Sequence, residues 1–202
     1  MKCKVTNKII KPFMSFGKMP LANGFLKKED FGKEFFFNLE VGFSEELSLF
    51  QLNEFPNPTK MFNENYPFFS GSSEHMKKHF FNYFNWIKKN YLNSKSNIIE
   101  IGSNDGTMLS NFKNEGFSCV GFEPSMSAAK KAKENNIDTL VEFFCYKNVS
   151  LLNKFKHNTD VICAANVICH IPDLTDLIKS VDYTLTSKGV FIFEEPYLGS
   201  MF

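Results

Sequence analysis

The stretch from Asn97 to Thr107 constrains the fold of this chain more than any other part of the sequence. It begins with the apolar run Asn97-Ile98-Ile99-Glu100-Ile101 and continues, through a turn with glycines at 102 and 106, into a helical pattern. A strand that enters a helix through such a turn is typical of the first β-α unit of a doubly wound sheet. Because Gly102 and Gly106 carry no Cβ, a ligand can approach the backbone closely. The sequence therefore predicts a ligand loop at the carboxyl end of a strand.

The charges of this loop indicate the kind of ligand. A dinucleotide places its pyrophosphate at a helix N-terminus and prefers Gly-x-Gly-x-x-Gly with no anion nearby. Here the spacing is Gly-x-x-x-Gly, and the carboxylates of Glu100 and Asp105 accompany it. Two carboxylates repel a pyrophosphate, but they attract the ammonium and sulfonium groups of S-adenosylmethionine. We therefore interpret the loop as a site for S-adenosylmethionine and regard a nicotinamide-dependent oxidoreductase as the less favoured reading.

Beyond Asn97 the chain alternates apolar runs with amphipathic stretches, which predicts a parallel sheet joined by helical crossovers. The expected fold is α/β, with a doubly wound, mostly parallel, Rossmann-like sheet. The predicted strands are 98–101, 119–122, 139–141, 161–165 and 190–193, and the predicted helices are 107–115, 125–135, 147–155 and 174–185.

The first 60 residues differ from the rest. Extended patterns at 36–43 and 47–52 predict a small β-rich lobe with little helix, and Ser73 is expected to cap a long helix that ends near Leu92. We therefore divide the chain into a lobe (1–60), a segment with the long helix (61–96) and a ligand-binding domain (97–202). Turn signals in the lobe are Pro12, Gly17, Pro20 and Asn23-Gly24.

Composition excludes several classes of function. Hydrophobic residues make up 43% of the chain and charged residues 22%, which is typical of a globular protein, and the net charge is +1. That balance predicts no binding to nucleic acid or to a membrane surface, and the basic residues are all lysines. The start of the chain lacks a signal-peptide core, so the cytoplasm is the expected compartment. The five cysteines form no Cys-x-x-Cys pair, which predicts neither a disulfide framework nor a zinc ribbon.

Polar residues follow two further predicted strands. Glu123 comes directly after 119–122, where an acid can accept both ribose hydroxyls of an adenosine; the alternative is a solvated or capping carboxylate. Asn166 and His170 follow 161–165, so both are expected at the carboxyl edge of the sheet. Asn166 is a candidate for contact with the cofactor or the substrate. His170 is a candidate for proton transfer, and its alternative is a histidine packed on the sheet.

The segment from Asn65 to Ser73 combines aromatic and small hydroxyl residues just before the long helix. Two interpretations remain open for it, a lid over the cofactor and an ordinary packed connection. Glu194 and Glu195 follow the last predicted strand and are candidates for the border of a substrate pocket. Because successive strand residues face opposite sides of a sheet, at most one of these two acids can point inward.

Together these motifs resemble a family. Glu100-Ile101-Gly102-Ser103-Asn104-Asp105-Gly106-Thr107, Gly121-Phe122-Glu123-Pro124 and Asn166–Asp173, with Glu195-Pro196-Tyr197, resemble the class I S-adenosylmethionine-dependent methyltransferases that methylate carbon in nucleotide-linked deoxysugars. The amino-terminal part is similar to theirs in Gly17–Asn23, Leu49–Leu52, Tyr66 and Ser72-Ser73. The resemblance implies a small-molecule methyl acceptor, with a nucleotide sugar as the candidate. It adds Ser103, Pro124, Tyr66 and Ser73 to the expected cofactor residues, which then are Glu100, Gly102, Ser103, Asn104, Asp105, Gly106, Glu123, Pro124, Asn166, Tyr66 and Ser73.

The chain departs from the family's amino-terminal zinc site. The family carries two Cys-x-x-Cys pairs there, whereas only Cys3 matches a ligand, and Thr6, Ser44 and Leu47 stand at the other positions. One thiolate cannot form a tetrahedral structural zinc site, so no zinc is expected. We expect the lobe to hold together instead by burying its phenylalanines.

The chain also stops before two parts that the resemblance implies. The family continues after Glu195-Pro196-Tyr197 into a His-Glu-His segment with catalytic residues and then into a substrate domain. Five of the usual seven strands are present, which would leave an apolar open edge at 190–193. We therefore expect a fragment of a longer enzyme, with His170 as its only candidate for polar contact with a substrate. The alternative is a non-catalytic module that binds the cofactor or docks a partner.

Overall fold

The computed structural model describes residues 1–22 and 25–200, with the side chain of Leu198 excluded. Asn23 and Gly24, which belong to a predicted turn and a family motif, lie outside the described residues. The chain forms two compact units. The N-terminal unit comprises Met1–Phe62 with Pro172–Leu174, and the C-terminal unit comprises Asn63–Ile171 with the residues from Thr175 onward.

The N-terminal unit contains an antiparallel sheet in the order β1-β2-β3, formed by Pro12–Pro20 (β1), Phe36–Ser44 (β2) and Leu49–Leu52 (β3). The β-rich lobe is thereby confirmed, but the turns predicted at Pro12, Gly17 and Pro20 are wrong. Both prolines lie at the ends of an edge strand, where a missing N–H costs little pairing. Gly17 has a φ of +71° and lies where the register shifts, as in a β-bulge.

Phenylalanines do not form the interior of the N-terminal unit, so that expectation is wrong. Phe31 is 68% exposed, and every residue of β1 before Pro20 is exposed. A single three-stranded sheet offers no second layer to cover both of its faces. The buried residues are mostly small or polar: Cys3, Val41, Gly42, Ser44, Gln51 and Pro56. A short helix, α1 (Pro58–Met61), closes the unit with Asn57 as its N-cap.

The C-terminal unit contains a five-stranded parallel sheet in the order β6-β5-β4-β7-β8. Its strands are Asn97–Ile101 (β4), Ser118–Phe122 (β5), Thr139–Leu140 (β6), Thr159–Ala165 (β7) and Leu185–Glu194 (β8). All five predicted strands are present, and the predicted α/β fold with its mostly parallel sheet is confirmed. The first strand in sequence, β4, lies at the centre, so the chain order reverses on either side of it. That reversal creates the crevice where open α/β sheets bind their ligands.

Helices cover both faces of this sheet. The long helix α2 is capped by Ser73, as predicted, since the Ser73 hydroxyl accepts the N–H of Met76 at 3.3 Å. The helix predicted over 147–155 is shorter, because it ends at Ser150 and a separate 3₁₀ turn follows at Asn153–Phe155. The helices are Glu74–Tyr91 (α2), Thr107–Asn114 (α3), Met126–Glu134 (α4), Tyr146–Ser150 (α5) and Leu174–Thr184 (α6).

The core of the C-terminal unit is apolar on both faces of the sheet. On one face, Phe84 of α2 meets Phe112 of α3 edge to face, with ring centroids 4.9 Å apart. On the other face, Phe122 packs against Phe144 with a centroid distance of 5.1 Å. The first contact holds α3, which begins directly after the loop that follows β4, and the second holds the last residue of β5. No helix in the described part of the chain combines the length and apolarity needed to cross a membrane.

Candidate cofactor site at the carboxyl edge of the sheet

The loop from Gly102 to Gly106 turns sharply at the carboxyl end of β4. Gly102, Asn104 and Gly106 all have positive φ, at +66°, +50° and +77°. The N–H groups of Gly102 and Ser103 donate to the carbonyl of Phe122, at 2.8 and 3.2 Å, and tie the loop to the end of β5. Glycine suits the left-handed conformation, and asparagine is among the few other residues that adopt it readily. The sequence thus forms the turn where the two central strands end.

At both glycines the protein's own side chains occupy the space where a Cβ would lie. A Cβ on Gly102 would lie 2.5 Å from Cγ2 of Val167, and one on Gly106 would lie 2.9 Å from Cγ1 of Ile137. The space where a Cβ would lie is therefore occupied by a protein side chain at both glycines. Contact between a cofactor and the backbone of Gly102 or Gly106 stays a prediction.

Asp105 lies buried in the loop and uses both carboxylate oxygens. Its Oδ1 accepts the hydroxyl of Thr107 at 2.6 Å, at the first turn of α3, and its Oδ2 accepts the N–H of Gly71 at 2.8 Å. An acid at a helix start complements the helix dipole. Its negative charge therefore already has partners within the chain, and its predicted contact with a cofactor stays untested.

Asn104 joins the loop to the segment from Phe68 to Gly71, here called the 68–71 segment. Its Oδ1 accepts the N–H of Ser70 at 3.0 Å, and its Nδ2 donates to the carbonyl of Phe68 at 3.0 Å. With the bond from Gly71 to Asp105, three hydrogen bonds connect two stretches 34 to 36 residues apart. A Cβ on Gly71 would lie 2.7 Å from the hydroxyl of Thr107, so only glycine fits there. The 68–71 segment thus forms one wall of the candidate site, and sequence reasoning missed Gly71.

Glu123 lies at the end of β5 and is only 4% exposed. Its Oε2 accepts the N–H of Asn104 at 2.9 Å, and its Oε1 accepts the N–H of Ser125 at 2.7 Å. Burial raises the pKa of the Glu123 carboxyl, whereas these two N–H groups lower it. Each oxygen retains a further lone pair for a ribose hydroxyl.

Tyr66 and Ser125 surround this acid. Burial, and then the charge of Glu123, raises the pKa of Tyr66. The Ser125 hydroxyl donates to the carbonyl of Asn63 at 2.9 Å, so the chain before Tyr66 is bound to the start of α4. Sequence reasoning missed Ser125, although a serine just after an acid and a proline is a recognisable helix-start signal. Pro124 lies between them and is half-buried.

Glu100 faces the core of the C-terminal unit. It is buried, and one of its oxygens, Oε2, has no hydrogen-bond partner among the described residues. Burial, and then the charges of Glu123 and Asp105, raise the pKa of Glu100, and the backbone N–H of Leu109 in α3 opposes that shift. Ser103 is also buried, and its hydroxyl likewise has no partner in the described part of the chain. Contact with a cofactor stays a prediction for both residues.

The second loop at this edge follows β7. Asn166 has a φ of +57° and an exposed side chain, and its N–H donates to the carbonyl of Glu194 at 2.9 Å. Oε1 of Glu195 accepts the N–H groups of Val167 and Ile168, at 2.8 and 2.5 Å. Glu195 therefore holds the loop, a role that sequence reasoning missed. Since Val167 also fills the space beside Gly102, the loops after β4 and β7 are in contact.

Glu194 and Glu195 have different partners. Glu195 binds the loop, whereas Glu194 bonds to His79 of α2. His170 lies in a 3₁₀ turn, Ile168–His170, and is exposed. Its predicted role in proton transfer stays a prediction.

Cys3 in the N-terminal unit is surrounded by hydrogen-bond donors. The amide Nε2 of Gln51 donates to its sulfur at 3.5 Å, and Oε1 of Gln51 accepts the N–H of Lys4 at 2.8 Å. The pKa of the Cys3 thiol falls to about 6, because the hydroxyl and the N–H of Thr6 and the amide of Gln51 bond to the sulfur, against the opposing effect of burial. Within the described ranges, no three His, Cys, Asp or Glu side chains come together as metal ligands do.

Solved structures share the fold of the C-terminal unit. The PH0226 protein from Pyrococcus horikoshii OT3 superposes with a TM-score of 0.53 and 18% identity, over 69% of this chain and 66% of that one. An S-adenosylmethionine-dependent methyltransferase from Archaeoglobus fulgidus gives a TM-score of 0.52 and 16% identity, over 62% of this chain and 53% of that one. At such identities the likeness shows the fold alone, and it confirms the Rossmann-like prediction.

Sequence comparisons relate the chain to methyltransferases. C-methyltransferase NovU of Streptomyces niveus is 26% identical over 187 residues, which cover 92% of this chain and 44% of that protein. The chain therefore spans less than half the length of this curated relative. A family model described as "Putative zinc binding domain" matches residues 3–62. A second model, described as "Methyltransferase domain", matches residues 74–200, more than half of the chain. The chain therefore belongs to the methyltransferase domain family.

Proposed function

We propose that this chain binds S-adenosylmethionine at the carboxyl edge of its parallel sheet and forms the cofactor-binding half of a carbon methyltransferase. The observation that carries the proposal is the placement of Glu123. Its carboxylate lies at the end of β5, beside the turn after β4, and two backbone N–H groups hold it in place. An acid at that position of an open α/β sheet accepts the hydroxyls of a ribose.

The residues at this edge fit such a cofactor. The carboxylates of Glu123 and Asp105 supply hydrogen-bond acceptors and negative charge, which suit a ribose diol and a cationic ligand and oppose a pyrophosphate. Glu123 would hold the ribose, Tyr66 would cover it, and the backbone from Gly102 to Gly106 would face the remainder. The cofactor supplies a methyl group made electrophilic by its sulfonium.

For the acceptor we propose a nucleotide-linked sugar or a similar small molecule with an acidic C–H. The motifs after β7 and β8 and the name of the NovU relative support this class. A carbon nucleophile that forms by loss of a proton beside a carbonyl attacks the methyl in line. The part of this chain in that reaction is to position the two partners and to exclude water. Asn166 and His170 would face the acceptor from the loop after β7. The division into 1–60, 61–96 and 97–202 and the cytoplasmic location also stay proposals.

Calorimetric titration of the purified chain with S-adenosylhomocysteine, S-adenosylmethionine and NAD tests the cofactor proposal. We expect both sulfur ligands to bind and NAD to give no heat. Glu123→Ala should weaken binding of the sulfur ligands at least tenfold, which is about 1.4 kcal/mol. Glu134→Ala, which removes an exposed acid of α4, is the matched control and should bind as the unmodified chain does.

Two other results would change the assignment, and a third would identify the chain as part of a longer enzyme. A folded chain that binds neither sulfur ligand would contradict the proposed site and favour a docking module. Binding of NAD, unaffected by Glu123→Ala, would point to the oxidoreductase alternative. A chain that binds the cofactor without methyl transfer, but gains turnover when a carboxyl-terminal half is supplied, would be a fragment of a longer enzyme.

We also propose that the N-terminal unit folds without zinc, although it matches the zinc-binding model. The donors present do not fit that metal: Cys3 is the only thiol in the unit, and hydrogen bonds from Gln51 and Thr6 already engage its sulfur. Elemental analysis of the purified chain should give well under one zinc per chain, and a chelator should leave the melting temperature unchanged. Stoichiometric zinc, or loss of folding with the chelator, would refute this.

A further inference from the structure

A histidine and a carboxylate outside the candidate cofactor site form a pair at the carboxyl edge of the sheet. Nε2 of His79, on α2, lies 2.8 Å from Oε1 and 2.9 Å from Oε2 of Glu194, the last residue of β8. The two residues are 115 positions apart in the sequence. Their side chains are 42% and 31% exposed, so solvent reaches both. An exposed pair of this kind contributes only about 0–1 kcal/mol to stability, which leaves the pairing without a strong structural reason.

The pair lies next to the loops that build the candidate site. The carbonyl of Glu194 accepts the N–H of Asn166, and the next residue, Val167, fills the space beside Gly102. A short chain of contacts therefore connects His79 to the loop after β4. Ligands of open α/β sheets lie over the carboxyl ends of the strands, which is the end that Glu194 occupies.

The geometry indicates which nitrogen of the His79 ring carries a proton. Because Nε2 faces both oxygens of a carboxylate, that nitrogen carries the proton, and a neutral ring then presents Nδ1 as a hydrogen-bond acceptor. A carboxylate that fixes the tautomer and orientation of a histidine is a recurrent device in sites that handle hydroxyl groups.

Tyr83 adds a donor one helical turn after His79. Its ring centroid lies 6.4 Å from that of His79, and its buried hydroxyl has no hydrogen-bond partner among the described residues. Burial, and then the charges of Cys163 and Glu194, raises the pKa of Tyr83, so the hydroxyl keeps its proton. One acceptor and one donor therefore lie together on the same face of α2.

We propose that His79, held by Glu194, is a positioning residue that accepts a hydrogen bond from a hydroxyl of the methyl acceptor, a nucleotide-linked sugar. This inference rests on the proposed function and names a residue that would orient its second substrate. His79 acts through Nδ1, while Glu194 fixes the ring.

Nuclear magnetic resonance of the full chain with ¹⁵N-labelled histidine tests the proposal, because the chain has only four histidines. The His79 signals, assigned with His79→Gln, should show a proton on Nε2 and none on Nδ1. Addition of thymidine diphosphate-glucose to the chain with S-adenosylhomocysteine bound should shift the His79 signals. The signals of His75, an exposed histidine of the same helix, should stay in place.

Calorimetry of the same probe supplies the affinity. His79→Gln should weaken binding of thymidine diphosphate-glucose about tenfold, and His75→Gln should not. Both variants should bind S-adenosylhomocysteine as before. Glu194→Gln keeps a hydrogen-bond acceptor for Nε2 of His79. It should therefore lose less affinity for thymidine diphosphate-glucose than His79→Gln does.

The outcomes separate this inference from the proposed function. If the unmodified chain does not bind S-adenosylhomocysteine, the proposed function fails. If it does, a proton on Nδ1 of His79, undisturbed His79 signals, or equal affinity of the His79 variant for the sugar nucleotide each overturns the inference.

Discussion

The two units of this chain use phenylalanine in opposite ways. In the C-terminal unit, Phe84 and Phe112 are completely or almost completely buried between α2, α3 and the sheet. In the N-terminal unit, Phe13 and Phe31 are mostly exposed, while the buried positions hold Cys3 and Gln51. Phenylalanine thus forms part of the core in the C-terminal unit and part of the surface in the N-terminal unit. Composition alone does not decide where an interior forms; a second layer of structure does.

The two units also differ in the interactions that stabilise them. The C-terminal unit closes by apolar burial, which is non-directional and tolerates shifts of the packed elements. The N-terminal unit instead has two hydrogen bonds at Gln51, which donates to the sulfur of Cys3 and accepts the N–H of Lys4. Such bonds hold only at specific distances and angles. Stability of the two units should therefore respond to different substitutions.

The largest difference should come from Phe112→Ala. Removal of this buried ring leaves a cavity between α2 and α3 and should lower the free energy of unfolding by about 3–5 kcal/mol. Phe31→Ala in the N-terminal unit is the matched control and should change it by less than about 0.5 kcal/mol. Urea unfolding of the two variants measures both. Equal losses would contradict the contrast between the units.

A smaller effect is expected from the glycines of the candidate site. Gly102→Ala combines a positive φ with a Cβ that would press on Val167, and should cost about 2–3 kcal/mol. Gly116→Ala also has a positive φ, of +85°, but open space around it, and should cost about 1 kcal/mol. Chemical denaturation compares the two.

The double variant Gly102→Ala with Val167→Ala sharpens this test. If close packing against Val167 is what requires a glycine at position 102, the double variant should lose less free energy of unfolding than the two single variants lose together. Strict additivity would show that the backbone conformation, and not packing against Val167, requires the glycine.

The smallest expected effect is a pH dependence in the buried acid of β4. Since burial raises the folded-state pKa of Glu100, its favourable contribution is fully present below the unfolded pKa, near 4.3, and is lost as the pH rises through the folded-state pKa. Glu100→Gln removes this loss of stability at high pH, because glutamine does not ionise. The variant should be more stable than the unmodified chain by about 1 kcal/mol at pH 8 and equal to it below pH 4.

Thermal unfolding across that pH range checks this prediction, with Glu134→Gln as the exposed control. A variant that is less stable at pH 8, or whose advantage persists unchanged at pH 4, would contradict the raised folded-state pKa of the buried Glu100. If Glu100→Gln also leaves the affinity for S-adenosylhomocysteine intact, the Glu100 carboxylate does not contribute to cofactor binding.

Much of the C-terminal unit could be predicted from local patterns. The apolar run at 98–101 and the cap at Ser73 both depend on neighbouring residues, and the structure has β4 and α2 where those patterns place them. Helix α5 ends at Ser150, earlier than predicted, because the local pattern of apolar residues carries no information about where the tertiary core ends. Strand β1 was missed because prolines and a glycine are turn signals in sequence, yet an edge strand tolerates them.

By itself, the sequence determined the order of strands and helices in the C-terminal unit, the family motifs and the acids that follow the strands, because these features depend on residues close together in the chain. Only the tertiary structure decided what those residues touch. In the folded chain Asp105 accepts the N–H of Gly71, and Val167 occupies the space beside Gly102. His79 bonds to Glu194, and the phenylalanines of β1 are exposed. Such contacts join residues tens of positions apart, and their geometry arises only when the packed sheet brings strand ends and helix faces together.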